Sequence, residues 1–186
     1  MQDRWYLLSL KEILETEEAL QAEEKLRIEE ELQRAVLKLD EERSRKLANI
    51  KPEKKKIESI GAGLLLQLAV REALESMDVS PKLSERETTE VYQRLPTFTR
   101  LTLSQLLRKT QDPLPLAYTY GNHGKPYLKN YPFYFNLSHS GDYVLCVLSE
   151  QEIGADIQWK SPQVSERVLQ RFFSAEEKAY WEQCST

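Results

Sequence analysis

The stretch Phe133-Tyr134-Phe135-Asn136-Leu137-Ser138-His139-Ser140-Gly141-Asp142-Tyr143-Val144-Leu145-Cys146-Val147-Leu148 decides the fold. Phe133, Phe135 and Leu137 alternate with Tyr134 and Asn136, the period of a strand with one buried face. Ser140-Gly141-Asp142 carries turn chemistry, and Tyr143 to Leu148 is an apolar run fit for a buried strand. Beyond Glu150-Gln151-Glu152, the stretch Ile153 to Gln158 reads as a third strand. Ser174 with Glu177 three residues on is a capping-box signature, so a helix is expected from Ala175 toward Glu182. Upstream, Trp5 to Leu10 is a short apolar run that opens the fold as a strand. From Lys11 to Leu47 the pattern is helical, with Ile28, Leu32, Ala35, Val36 and Leu39 at spacings of three and four. Pro52 ends that pattern or starts the next helix.

Ile57 to Met77 is apolar over a wide arc (Ile60, Leu64, Leu65, Leu66, Leu68, Val70), which predicts a helix buried on most sides. Gly61 and Gly63 permit close approach by a neighbour, at some cost in helix propensity. Ser80 to Asp112 has no clear period and reads as a connection with one helix at Leu101–Arg108. The fold class is therefore α+β, a small antiparallel sheet packed on a long helix.

The 186 residues are 40% hydrophobic and 30% charged, a globular composition able to bury one sizeable core. No apolar run is long enough to span a membrane, and Met1-Gln2-Asp3-Arg4-Trp5 lacks the layout of a signal peptide. Two cysteines, Cys146 and Cys184, are too few for a disulfide framework, so a cytoplasmic setting is expected. A net charge of −4 disfavours nucleic-acid binding. Basic residues nevertheless cluster from Arg43 to Lys56, which suits a small phosphorylated ligand.

Three constellations carry candidate chemistry. In Ile153-Gly154-Ala155-Asp156-Ile157-Gln158 the pleat sends Gly154, Asp156 and Gln158 to one side. An acid and an amide oxygen beside a glycine suit Mg²⁺, which binds one or two carboxylates plus substrate phosphates; a solvent-facing strand end is the alternative. Ser138-His139-Ser140-Gly141 offers hydrogen-bond donors for phosphate oxygens, or turn chemistry with a surface histidine. Arg43 and Lys46 share one helix face, and Gly124-Lys125-Pro126 sets a lysine on a turn; a solvated surface also accounts for these cations.

Taken in order, Gly-Lys-Pro-Tyr-Leu (124–128), Phe-Asn-Leu-Ser-His-Ser-Gly (135–141), Ile-Gly-Ala-Asp-Ile (153–157) and Arg-Phe-Phe-Ser-x-x-Glu (171–177) resemble the Sfp type of 4'-phosphopantetheinyl transferase. Ser59 to Leu66 is similar to that family's long helix, and the resemblance runs from about Arg43 to the end of the sequence. It implies one of the family's two pseudo-symmetric halves: 1–186 as a single incomplete domain, with a strand and charged helix in 1–42 and the coenzyme A and metal-binding half in 43–186. The implied activity is transfer of phosphopantetheine from coenzyme A to a serine of an acyl or peptidyl carrier protein. The resemblance implies nucleotide contacts for Arg43, Lys46, Lys125, Ser138 and His139, the last at the 3'-phosphate, and Mg²⁺ ligation by Asp156 and Gln158.

Departures from the family pattern accompany the match. Gln158 stands where many members have an acidic metal ligand, and Glu58 where an arginine often meets the 3'-phosphate. The family's Trp-x-x-Lys-Glu segment, which supplies the general base, is not among these residues, so no catalytic base is assigned. The resemblance thus implies a truncated or fragmentary transferase, inactive alone, with a face left for a partner or self-association. The alternative is a non-catalytic module that binds coenzyme A or another protein.

Overall fold

The computed structural model describes residues 3–14, 22–78, 98–110, 112–159, 170–171 and 173–178. The long apolar stretch forms helix α4 (Glu53–Asp78), whose first turn begins directly after Pro52. Its buried positions, among them Leu64, Leu65, Leu66, Ala69 and Val70, cover most of its circumference because neighbours pack on several sides. On one side lies a four-stranded sheet in the order β2 (Phe98–Thr102), β1 (Arg4–Ser9), β6 (Tyr143–Ser149), β5 (Tyr134–Ser140). Tyr6 and Leu8 of β1, Phe135 of β5 and Val144, Cys146 and Leu148 of β6 belong to the core shared with α4. Leu145 and Val147, on the alternate face of β6, are buried as well, which explains why the run there does not alternate.

The β5–β6 pairing matches the sequence reading, with Ser140 opposite Tyr143 and Gly141-Asp142 as a two-residue turn. Gly141 adopts a φ of +60°, which glycine reaches without a Cβ clash. The expected all-antiparallel sheet is corrected by β2. It pairs parallel to β1, Trp5 opposite Phe98 through Ser9 opposite Thr102, so the sheet is mixed. This strand escaped sequence analysis because Phe98, Thr99 and Arg100 of an edge strand are all exposed and give no hydrophobic alternation.

The expected third strand at 153–158 is also corrected. Residues 151–159 run beside β5 without joining its ladder. The half-buried Ile153, Ala155 and Ile157 still alternate with exposed Gly154, Asp156 and Gln158, so the pleat was legible although the ladder is absent. The remaining helices are α1 (Lys11–Leu14), α2 (Ala22–Leu37), α3 (Glu41–Leu47) and α5 (Leu103–Lys109). The helical reading of 11–47 is thus interrupted before Asp40, which leaves the helical path to cap α3. Thr102 and Gln105 form a reciprocal capping box that starts α5 two residues later than expected. At the far end, Ser174 Oγ accepts from Glu177 N and Ser174 N donates to Glu177 Oε2, confirming that capping box; 179–182 lie outside the described residues.

A second, two-stranded sheet was not anticipated. Strands β3 (Tyr118–Tyr120) and β4 (Pro126–Leu128) form a hairpin around the Gly-Lys-Pro turn. It is anchored to α4 through the buried Gln67, whose amide accepts from Leu114 N at 2.7 Å and donates to Leu114 O at 3.2 Å.

Candidate functional site

Hydroxyl groups replace the missing ladder along the edge of β5. Ser138 Oγ donates to Asp156 and accepts from Ile157 N at 3.1 Å, and Ser140 Oγ accepts from Trp159 N at 2.8 Å. Trp159 lies over Gly141, where a Cβ would come within 3.1 Å of the indole. The serines of the hairpin thereby hold the acid-bearing segment and present Asp156 to solvent.

The other end of that segment is held by Lys125. Its ammonium donates to Ile153 O and pairs with Glu152 Oε1, each at 3.2 Å. Tyr127 also donates to Glu152 Oε1, at 2.8 Å, and its ring contacts Tyr134 at the start of β5. The bond from Tyr127 and the Lys125 charge draw the Glu152 carboxyl below its ordinary range, and the same bond pushes the Tyr127 phenol up.

Helix α3 docks on the opposite face of the β3–β4 hairpin. Tyr118 and Tyr120 are two apart and point to one side, whereas Tyr127 sits opposite Thr119 and points to the other. Tyr118 donates to Asp40 Oδ2 at 2.9 Å, while Asp40 Oδ1 caps α3 by accepting from Arg43 N at 3.0 Å. Burial pushes the Tyr118 phenol far up, and the nearby Arg43 charge opposes this. Arg43 itself turns inward: its Cδ lies where a Cβ on Gly63 would be, at 2.3 Å, and its Nε is buried with no hydrogen-bond partner. Lys46 turns outward, pairs with Glu42 at 2.8 Å, donates to the Tyr120 hydroxyl and lies 4.8 Å from that ring's centre. Tyr120 in turn donates to Glu42. The Lys46 bond draws the Glu42 carboxyl down, and that carboxylate raises the Lys46 ammonium.

The structure therefore gathers Lys125, Ser138 and Asp156 along one edge and joins Arg43 and Lys46 to it through the hairpin. It does not bring His139 to that edge. His139 occupies the other face of β5, with Nδ1 3.5 Å from the Glu58 carboxylate of α4. Glu58 is buried, whereas the His139 side chain is 59% exposed. Sequence reasoning missed Tyr118, Tyr120, Tyr127, Glu42 and Glu152; the only signal was the Tyr-Thr-Tyr alternation before the turn.

Among the described residues no three acidic, histidine or cysteine side chains cluster as a metal site. Asp156 offers one exposed carboxylate oriented by Ser138, with Gln158 exposed two residues on. That donor set fits Mg²⁺ held mainly by ligand phosphates and water.

No family model matches the chain. Curated relatives do. A 4'-phosphopantetheinyl transferase of Bacillus subtilis is 36% identical over 67 residues, 36% of this chain and 30% of that protein. The 4'-phosphopantetheinyl transferase AcpT of Escherichia coli (strain K12) is 44% identical over 66 residues, 34% of this chain and 33% of its own. A putative 4'-phosphopantetheinyl transferase of Synechocystis sp. is 43% identical over 86 residues, 42% of this chain and 35% of its own. The chain spans about a third of the length of these relatives.

Proposed function

We propose that this chain, a member of the 4'-phosphopantetheinyl transferase superfamily, supplies the part of such a transferase that binds coenzyme A and Mg²⁺ for transfer of phosphopantetheine to a carrier-protein serine in the cytoplasm. The observation that carries this reading is the edge of β5, where the Phe-Asn-Leu-Ser-His-Ser-Gly and Ile-Gly-Ala-Asp-Ile segments meet through Ser138 and Asp156. Lys125 of the Gly-Lys-Pro turn joins the same segment at Ile153.

On this reading Lys46 and Lys125 bind phosphate groups as ammonium donors, with Arg43 adding positive charge from behind α3. Ser138 orients the Asp156 carboxylate, and His139 meets the 3'-phosphate from the α4 side of the sheet. Asp156 and Gln158 would hold Mg²⁺, which would supply charge neutralisation on the pyrophosphate as the phosphoanhydride bond gives way to the serine phosphoester and adenosine 3',5'-bisphosphate leaves. Because Gln158 is neutral, the metal contributes modestly to affinity.

The Trp-x-x-Lys-Glu segment is not among these 186 residues, so by themselves they bind but do not transfer. General-base assistance alone is worth roughly 10²–10⁴-fold. Among the described residues Asp156 is the one carboxylate placed for the metal, which also favours a second reading, a non-catalytic module that holds coenzyme A.

Titration calorimetry with coenzyme A tests the binding, with dephospho-coenzyme A as the comparison. Saturable binding that is weaker without the 3'-phosphate is expected, and no heat with either ligand would end the coenzyme A reading. Mass spectrometry of a carrier protein incubated with the chain, coenzyme A and Mg²⁺ should show no holo form; efficient conversion would refute the inactivity.

A further inference from the structure

We infer that Glu42 and Glu152 are specificity-determining residues: each is an internal counter-anion on a ligand-binding lysine, and only a phosphate group displaces it. The inference rests on the reading of Lys46 and Lys125 as phosphate-binding groups.

Two units of like construction flank one hairpin. In each, a lysine pairs with a glutamate, lies beside a tyrosine ring, and that tyrosine's hydroxyl donates to the same glutamate. Lys46, Glu42 and Tyr120 form the first, with the ammonium 2.8 Å from the carboxylate and 4.8 Å from the ring centre. Lys125, Glu152 and Tyr127 form the second, at 3.2 and 5.4 Å, with the hydroxyl 2.8 Å from the carboxylate. A third grouping, Arg43, Asp40 and Tyr118, is built differently: Asp40 is buried and also caps α3, so it stays fixed when a ligand arrives.

The tyrosines decide what the exposed pairs do. A ligand oxyanion that takes a lysine must leave the glutamate behind, and a carboxylate stripped of its cation next to an incoming anion opposes binding. Here Tyr120 or Tyr127 still donates to that carboxylate after the ammonium leaves, so it stays anchored and does not follow the lysine. A singly charged ligand exchanges one monoanion for another and gains little. A terminal phosphate carries about −1.5 to −2 and three acceptor oxygens, so the exchange favours it. The lysines approach opposite faces of the hairpin, through Tyr120 and Tyr127, so a ligand with two separated phosphate groups gains from both exchanges. The ligand class is thus one that carries two separated phosphate groups.

The test is calorimetry with inorganic pyrophosphate and with coenzyme A, on the wild type, Glu42→Gln, Glu152→Gln and the double variant. Glu41→Gln is the control: Glu41 neighbours Glu42 on α3 but pairs with Arg45 at 2.9 Å. Exposed pairs contribute little, so each single glutamine should tighten pyrophosphate about two- to fivefold. The double variant should gain about tenfold with coenzyme A, whose phosphate groups are separated, but no more than the better single variant with pyrophosphate, and each gain should shrink in about 0.5 M salt. Equal tightening by Glu41→Gln would reduce the effect to long-range charge and overturn the inference, as would no change in either test variant. If both test variants tighten pyrophosphate but no variant binds coenzyme A, the counter-anions stand and the coenzyme A reading falls. If coenzyme A binds saturably and no variant alters its affinity or that of pyrophosphate, the coenzyme A reading stands and the counter-anions fall.

Discussion

Replacing Asp40 by alanine is expected to cost about 2–3 kcal/mol of stability, more than any surface substitution nearby, because one carboxylate serves two neighbours. Its Oδ1 caps α3 at Arg43 N, and losing such a cap costs about 1 kcal/mol. Its Oδ2 takes the Tyr118 hydroxyl at 2.9 Å; a buried donor left without an acceptor costs about 1–2 kcal/mol. Asp40→Asn keeps an oxygen for the cap and should recover about 1 kcal/mol. Tyr118→Phe should cost about 1.5 kcal/mol on its own. Because Asp40 and Tyr118 share a bond, the double variant should cost about 1 kcal/mol less than the sum of the singles. Urea denaturation followed by circular dichroism measures all four variants. A cost for Asp40→Ala below about 1 kcal/mol, or strict additivity with Tyr118→Phe, would refute the claim that this carboxylate fastens α3 to the hairpin.

Other perturbations test other joints. Gln67→Met should cost about 1–2 kcal/mol, since it strands the Leu114 N–H, while Leu114 O keeps its bond from Leu116 N; urea midpoints check it. Gly63→Val should cost about 1–3 kcal/mol, because a Cβ would meet Arg43 Cδ at 2.3 Å and Leu39 Cδ2 at 2.5 Å; thermal melts read the loss. The Cys146 thiol is fully buried and pushed up to about 12 by burial, so a disulfide reagent should modify it only as fast as the protein opens. Glu42 and Glu152 have folded values below their ordinary value near 4.5. Such groups bind more protons unfolded, so their contribution is present above that value and is lost as pH falls below it. Urea midpoints between about pH 5 and 3 should fall less steeply in the Glu42→Gln, Glu152→Gln variant.

Much of the frame was legible because burial imposes a period. Leu64 to Val70 had to be a helix packed on several sides, and β5, β6 and β1 followed from alternation or an unbroken apolar run. Capping chemistry was equally readable, as Ser174 and Glu177 show. What escaped shares a cause: β2 and the β3–β4 hairpin are short, exposed, and stabilised by pairing with distant segments. Phe98 to Arg100 present no hydrophobic alternation, and only their register with β1 makes them a strand. The acid-bearing segment failed in the opposite sense, showing a pleat without a ladder because Ser138 and Ser140 bond it through side chains. At the candidate site, the cations and the acid were visible as residue types in order. Their partners were not, since Glu42 and Tyr120 are 78 residues apart in sequence and nothing local links them.

The hairpin's role follows from the parity of its pleat. Tyr118 and Tyr120 reach α3 and Tyr127 reaches Glu152 because Thr119, not Tyr118 or Tyr120, stands opposite Tyr127. A slip of β4 by one residue would set Tyr127 opposite Tyr118 or Tyr120 and turn it toward α3. The turn prevents this, with Gly121 N donating to Lys125 O at 3.0 Å and Gly124 N to Gly121 O at 2.9 Å. Lys125 leaves this turn already directed at Ile153, so the register that seats Tyr127 also sets the ammonium beside the acid-bearing segment. The three cations are therefore not independent surface charges. Arg43 and Lys46 sit on a helix whose docking depends on Tyr118 and Tyr120, and Lys125 on a turn whose register places those tyrosines. A register change would scatter all three without altering any of them, which is why the spacing of the basic residues alone did not disclose the site.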